Sequence, residues 1–122
     1  MTKKTILVVD DAPDNIQLLS AVLSRAYKVK AATHGEKALK IANKIPPPDM
    51  IVLDVVMPGM DGFQVCEALK QSETTRGIPV VFLSGTVTEV EREKAAALGA
   101  VAFLGKPIDR ARLLATLTEV LG

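Results

Sequence analysis

Apolar residues fall along this chain in two rhythms. Ile6–Val9, Met50–Leu53, Val80–Leu83 and Val101–Leu104 are short runs that are apolar at every position. Such runs are expected of strands buried on both faces of a parallel sheet. Tyr27–Ala32 instead alternates apolar residues with lysine, which predicts a strand with one wetter face, at or near an edge. Between these runs apolar residues recur at helical spacing. One set is Ile16, Leu19 and Leu23 with Leu18 and Val22, from Pro13 to about Arg25; a second is Ala38, Ile41, Ala42 and Ile45, stopped by Pro46-Pro47-Pro48. Gly62, Val65, Cys66 and Leu69 form a third, and Leu113, Leu114, Leu117, Val120 and Leu121 a last. The weakest helix, about Thr88 to Leu98, has Val87, Val90 and Leu98 sharing a face with Glu91 and Lys94. Pro13 suits a first helical turn, Asp109 an N-cap and Gly99 a C-cap.

Strands and helices thus alternate, five of each, without a linker or internal repeat. Right-handed crossovers between such strands predict a doubly wound α/β sandwich, with residues 1–122 as one domain. Composition adds exclusions. Aromatic residues make up 3% with no Trp, and the formal net charge is +1, so neither a base-stacking surface nor a basic footprint points to direct nucleic-acid binding. The single Cys66 excludes an intramolecular disulfide and fits a reducing compartment. No apolar run approaches the ~18 residues of a membrane span, and no signal-peptide core is present. A cytoplasmic protein is expected.

Parallel strands put all their carboxyl ends on one side, where open α/β sheets build their sites. Asp10 and Asp11 close the first strand, Asp54 the third and Ser84 the fourth, and Lys106 follows the fifth. Three carboxylates in one pocket raise one another's pKa values unless a cation sits among them. Oxygen ligands with water suit Mg²⁺ (or Mn²⁺), which accepts a phosphate oxygen as a further ligand. A lysine and a hydroxyl are the groups needed to hold the other oxygens of a transferring phosphoryl group, and a carboxylate can be its covalent acceptor.

The sequence resembles a receiver domain of two-component response regulators. The resemblance rests on Val8-Val9-Asp10-Asp11, on Leu53-Asp54-Val55-Val56-Met57-Pro58-Gly59-Met60-Asp61-Gly62, on Ser84-Gly85 and on Phe103-Leu104-Gly105-Lys106-Pro107. It implies a flavodoxin-like (βα)5 fold with strand order 2-1-3-4-5. It also implies that Asp54 accepts a phosphoryl group from a phosphohistidine on a sensor histidine kinase or a histidine phosphotransfer protein. Asp11, Asp54 and the Val56 carbonyl would bind Mg²⁺ directly, and Asp10 partly through water. Lys106 would pair with Asp54 or the phosphoryl oxygens. Ser84 would bond a phosphoryl oxygen, and Phe103 would turn inward as Ser84 moves, altering the face of helix four, strand five and helix five for a downstream partner. Pro58 and Gly59 form the turn after the site, and Pro107 would follow a cis Lys-Pro bond.

This sequence also departs from the family pattern. The hydroxyl is Ser84 where Thr is commoner. Val56 and Thr86 stand where polar side chains can orient the water that hydrolyses the acyl phosphate, so slow dephosphorylation is expected. Val101 and Ala102 replace two aspartates that build a charged dimer face in transcription-factor receivers. The opening Asp10–Asn15 is similar to receivers attached to sensor kinases or cyclic-di-GMP enzymes. Two other readings share these residues. An Asp-nucleophile phosphatase of the haloacid-dehalogenase type wants a second Asp at the position of Val56. A receiver-like interaction scaffold is expected to lack acid-pocket or lysine residues, and all are present. Blander readings also stand: Cys66 as core, His34 as a solvated turn residue, and Glu89–Lys94 as a wet helix face or part of a signalling face.

Overall fold

A computed structural model describes residues 3–122. The elements alternate as β1 (Thr5–Val9), α1 (Pro13–Leu23), β2 (Lys28–Ala32), α2 (Gly35–Ala42), β3 (Met50–Asp54), α3 (Gly62–Gln71), β4 (Val80–Ser84), α4 (Glu89–Ala97), β5 (Ala102–Gly105) and α5 (Arg110–Leu121). All strand pairs are parallel, in the order β2-β1-β3-β4-β5. The all-apolar runs β1, β3 and β4 lie inside the sheet, and lysine-bearing β2 lies at an edge, as the alternation of its side chains requires.

The pleat sorts the core into two layers. Ile6, Val8, Met50, Val52, Val81, Leu83 and Leu104 face Leu19 and Leu23 of α1 and Leu113 and Leu117 of α5. Leu7, Val9, Ile51, Leu53, Val80, Phe82 and Phe103 face the other way, toward α2, α3 and Ala95 of α4. Each layer is the period-two row of the strands meeting the period-3.6 stripe of the helices.

Three expectations change at helix ends. α1 stops at Leu23 rather than Arg25, and α2 stops at Ala42, so Ile45 is off its buried face and 89% exposed. His34 caps α2: its Nδ1 accepts a hydrogen bond from the Lys37 amide at 3.3 Å, so the turn residue has a local role. In α4 the expected apolar face is only partly formed. Val90 is 74% exposed and Val87 is exposed, whereas Leu98 packs partly buried against the core beside buried Ala95. Polar and aromatic contacts add to this. Lys94 lies 4.8 Å from the Phe63 ring and Arg92 5.9 Å from the Phe103 ring, at distances where a cation is attracted to an aromatic face.

Asp61 and Gln64 make a reciprocal capping box at the start of α3. This fixes the turn that carries the chain away from Asp54. Gly62 lies against the end of β3, where its amide donates to the Val55 carbonyl at 2.8 Å. Gly59 in the intervening turn has φ +75°, a conformation glycine adopts without cost.

Candidate functional site

Strand parity decides which side chains meet at the carboxyl rim. Asp10 continues the Ile6/Val8 row and Asp54 the Met50/Val52 row, and Val9 pairs with Leu53, so the two carboxylates are cross-strand neighbours. Lys106 continues the row of Leu104. Its Nζ lies 3.1 Å from Asp10 Oδ2 and 3.1 Å from Asp54 Oδ1. Asp10 is buried and held by two further donors: its Oδ1 accepts from the Ala12 amide at 2.9 Å, and its Oδ2 from Asn15 Nδ2 at 3.2 Å. Asp11 is exposed at the mouth. One carboxylate oxygen each from Asp10, Asp11 and Asp54 lie within 4.8 Å of one another.

Ser84 follows the opposite row, that of Val80 and Phe82. Its hydroxyl therefore points toward α4, donating to the Thr86 carbonyl at 2.6 Å, with Glu91 Oε1 at 3.5 Å. Phe103 lies on the same face, its ring 6.4 Å from that of Phe82. Val56, Pro58 and Gly59 line the exposed turn beyond Asp54, with the Val56 side chain 67% exposed. Pro107 follows a cis bond from Lys106. The rim thus gathers Asp10, Asp11, Asp54 and Lys106 as one cluster, while Ser84 and Phe103 stand beside it on the α4 side. Cys66 is buried in the core, its thiol 3.9 Å from the Leu98 carbonyl.

Burial pushes the Asp54 carboxyl above the usual aspartate range, and the charge of Asp10 adds to this; the hydrogen bond and charge of Lys106 and the Val56 backbone offset it only in part. Burial lowers the Lys106 ammonium, but its bonds to Asp10 and Asp54 and their charges outweigh this and hold it above its ordinary value. Three carboxylates here share one ammonium. This uncompensated, all-oxygen cluster fits a hard divalent cation such as Mg²⁺.

A stability consequence follows from Asp54. A carboxyl with a raised folded-state pKa is penalised as pH climbs through that pKa, and carries no penalty below about pH 4, where it is protonated in both states. Asp54→Asn is therefore expected to stabilise the metal-free protein at neutral pH by about 1 kcal/mol, or roughly 4 °C in Tm. The gain should vanish at acid pH. Melting curves in EDTA across pH measure it, and a lower Tm at neutral pH contradicts it.

Two residues that touch the site were given no role in it by sequence reasoning. Asn15 orients Asp10 from the first turn of α1, and Glu91 reaches Ser84 and Thr86 from α4. Asn15 was legible only as part of the Asp10–Asn15 opening. Glu91 carries a local signal for another purpose, since Thr88-Glu89-Val90-Glu91 has the spacing of a capping box.

The comparisons with known proteins agree with this geometry. The family model for the response regulator receiver domain matches residues 6–118. The response regulator PleD of Caulobacter vibrioides is 48% identical over 90% of this chain and 24% of its own length. A probable cyclic di-GMP phosphodiesterase of Vibrio cholerae is 41% identical over 89% of the chain and 24% of its length. The chain thus spans about a quarter of these relatives, whereas protein PilH of Pseudomonas aeruginosa is 34% identical over 95% of the chain and 96% of its own length. Among solved structures, V. cholerae chemotaxis protein CheY4 superposes with TM-score 0.89 at 30% identity, covering 98% of this chain and 100% of that one. The receiver domain of sensor histidine kinase PA1611 from P. aeruginosa, which has a magnesium ion coordinated in its active-site cleft, superposes with TM-score 0.87 at 28% identity, covering 98% of each chain. Among the described residues no helix is long and apolar enough to cross a membrane. With its fold, its acidic rim and its relatives in agreement, this chain belongs to the response regulator receiver domain family, the signalling switches of two-component systems.

Proposed function

We propose that Asp54 is the phosphoryl acceptor of this receiver, and that residues 1–122 act as one switch unit in the cytoplasm. One observation carries the reading: the Lys106 ammonium stands 3.1 Å from both Asp10 and Asp54, with Asp11 completing an oxygen cluster at the carboxyl rim. Asp54 attacks the phosphorus of a phosphohistidine on a histidine kinase or phosphotransfer protein. An O–P bond forms as the P–N bond breaks, and the electron pair leaves with the imidazole nitrogen, which takes a proton from solvent. Lys106 is placed to hold negative charge as it shifts from the carboxylate to the phosphoryl oxygens. Asp11, Asp54 and the Val56 carbonyl, with Asp10 through water, would hold Mg²⁺, which when bound supplies the charge that neutralises the phosphoryl oxygens. The similarity to the histidine kinase BarA of Shigella flexneri, 34% identical over 89% of this chain, supports a phosphohistidine protein as the donor class.

Ser84 and Phe103 stand on the α4 side of the sheet, and Phe103 belongs to the face built from α4, β5 and α5. That face has a cleft of about 280 Å³ lined by Val87, Arg92, Pro107, Ile108 and Arg112 among others, which suits a protein partner. Incubation with Mg²⁺ and acetyl phosphate, followed by intact mass, tests the reading. One added phosphoryl group is expected in the wild type and none in Asp54→Asn. No adduct in the wild type overturns it, and turnover of a phosphate ester points to a phosphatase instead.

Val56 exposes an apolar side chain beside Asp54 and cannot align a water for hydrolysis. Val56→Asn is expected to speed decay of the phosphorylated protein by about tenfold, the benefit of orienting one reactant. Decay that is unchanged or slower contradicts this.

A further inference from the structure

We propose that Glu91 is a positioning residue that holds Ser84 and the β4–α4 loop in the unphosphorylated arrangement, and that this contact gives way when Ser84 engages a phosphoryl group. The proposal rests on the reading of Asp54 as phosphoacceptor. Ser84 is fully buried, and its hydroxyl has a single proton. The Thr86 carbonyl takes that proton at 2.6 Å, while the Thr86 amide donates back to Ser84 Oγ at 3.2 Å. Thr86 is in turn tied to α4, because its Oγ1 donates to Glu91 Oε1 at 3.1 Å; the same carboxylate oxygen stands 3.5 Å from Ser84 Oγ. These contacts hold the hydroxyl on the β4–α4 loop and beside Glu91 of α4.

The position of Glu91 in its helix makes the arrangement unusual. Thr88 is the N-cap of α4, and its side chain accepts from the Glu91 amide at 3.1 Å. In a complete capping box the Glu91 side chain would return to the Thr88 amide. α3 completes such a box through Asp61 and Gln64. In α4 the Glu91 carboxylate is spent on Thr86 and Ser84 instead. α4 has little apolar anchorage: Ala95 is its one buried residue and Leu98 at its C-cap is partly buried against the core, with Arg92 and Lys94 set over aromatic rings. A helix held by few apolar contacts moves at low cost, so the Glu91 contact couples the placement of α4 to the direction of the Ser84 hydroxyl. A phosphoryl oxygen and the Thr86 carbonyl compete for one proton, and Glu91 weights that competition toward the resting side.

The test compares Glu91→Ala, Glu91→Gln and wild type. In the unphosphorylated protein, amide hydrogen exchange at Thr86, whose amide donates to Ser84, is expected to be about tenfold faster in Glu91→Ala. It should stay near wild type in Glu91→Gln, whose amide oxygen still accepts from Thr86. Titration with beryllofluoride and Mg²⁺, as a phosphoryl mimic, is expected to show about fivefold tighter binding in Glu91→Ala. Ser84→Ala and Ser84→Ala/Glu91→Ala should then bind alike, because the gain passes through the hydroxyl. A helix-capping role alone would lower Tm and leave beryllofluoride affinity unchanged, which overturns the proposal, as does unchanged exchange or a Glu91→Gln that behaves like Glu91→Ala. If the wild type binds no beryllofluoride, the phosphoacceptor reading fails, and the exchange measurement alone judges the resting contact.

Discussion

Lys106→Met is expected to slow phosphorylation of Asp54 by acetyl phosphate by about a hundredfold or more while leaving a folded protein. Lys106 is the cation that contacts both Asp10 and Asp54, and removal of one preorganised charge-stabilising donor commonly costs about 10²–10³ in rate. Methionine keeps much of the apolar stem, so the packing of the side chain is largely preserved. Stability should also fall, by about 2–3 kcal/mol at neutral pH, because two buried carboxylates lose their counterion. That loss should shrink as pH falls, because Asp54, whose pKa burial raises, becomes protonated and needs no partner. An intact-mass time course measures the rate, and urea unfolding at two pH values measures the stability. A phosphorylation rate within about twofold of wild type would sink the assignment of Lys106 as the charge-holding group.

Gly62→Ala is expected to destabilise the fold by about 3 kcal/mol or more, although alanine is the better helix former by about 1 kcal/mol. A Cβ at Gly62 would stand 2.2 Å from the Asp54 carbonyl oxygen and 2.9 Å from Val55 Cα. Both are backbone atoms at the end of β3 and cannot swing aside. Gly35 gives the contrast. A Cβ there would meet Val65 Cγ2 at 2.8 Å and Met60 Sδ at 2.9 Å, which are side-chain atoms that can shift, so Gly35→Ala should cost only about 1 kcal/mol. The urea midpoint should drop sharply for Gly62→Ala with little change in slope. A midpoint equal to or above wild type contradicts this. Because the clash falls on the peptide that carries Asp54, Gly62→Ala should also impair phosphorylation, linking the start of α3 to the chemistry.

The order of elements was readable because each strand and helix buries a face of its own. β1, β3 and β4 are buried at nearly every position, and a run apolar on both faces has few alternatives to a central parallel strand. β2 showed its edge position through Lys28 and Lys30. Sequence reading failed where spacing and burial part company. Ile45 holds helical phase with Ile41 and Ala42 but lies past the end of α2, and Val90 holds phase on α4 yet faces solvent. Periodicity reports which residues share a side. It does not report whether anything covers that side.

The site divides along the same line. Residue order alone marks Asp10, Asp11, Asp54, Ser84 and Lys106 as strand-end residues, because dense apolar runs stop at or just before each of them. Parallel topology then sends all of them to one rim. How they divide at that rim depends on contacts between distant segments. Register made Asp10 and Asp54 neighbours under one ammonium, while parity turned Ser84 to the opposite face, where Thr86 and Glu91 hold it. The physical reason is range. The hydrophobic pattern is fixed by neighbours within a turn or a strand pair, whereas a polar side chain goes to the best partner within about 3 Å, and chain segments far apart in sequence supply it.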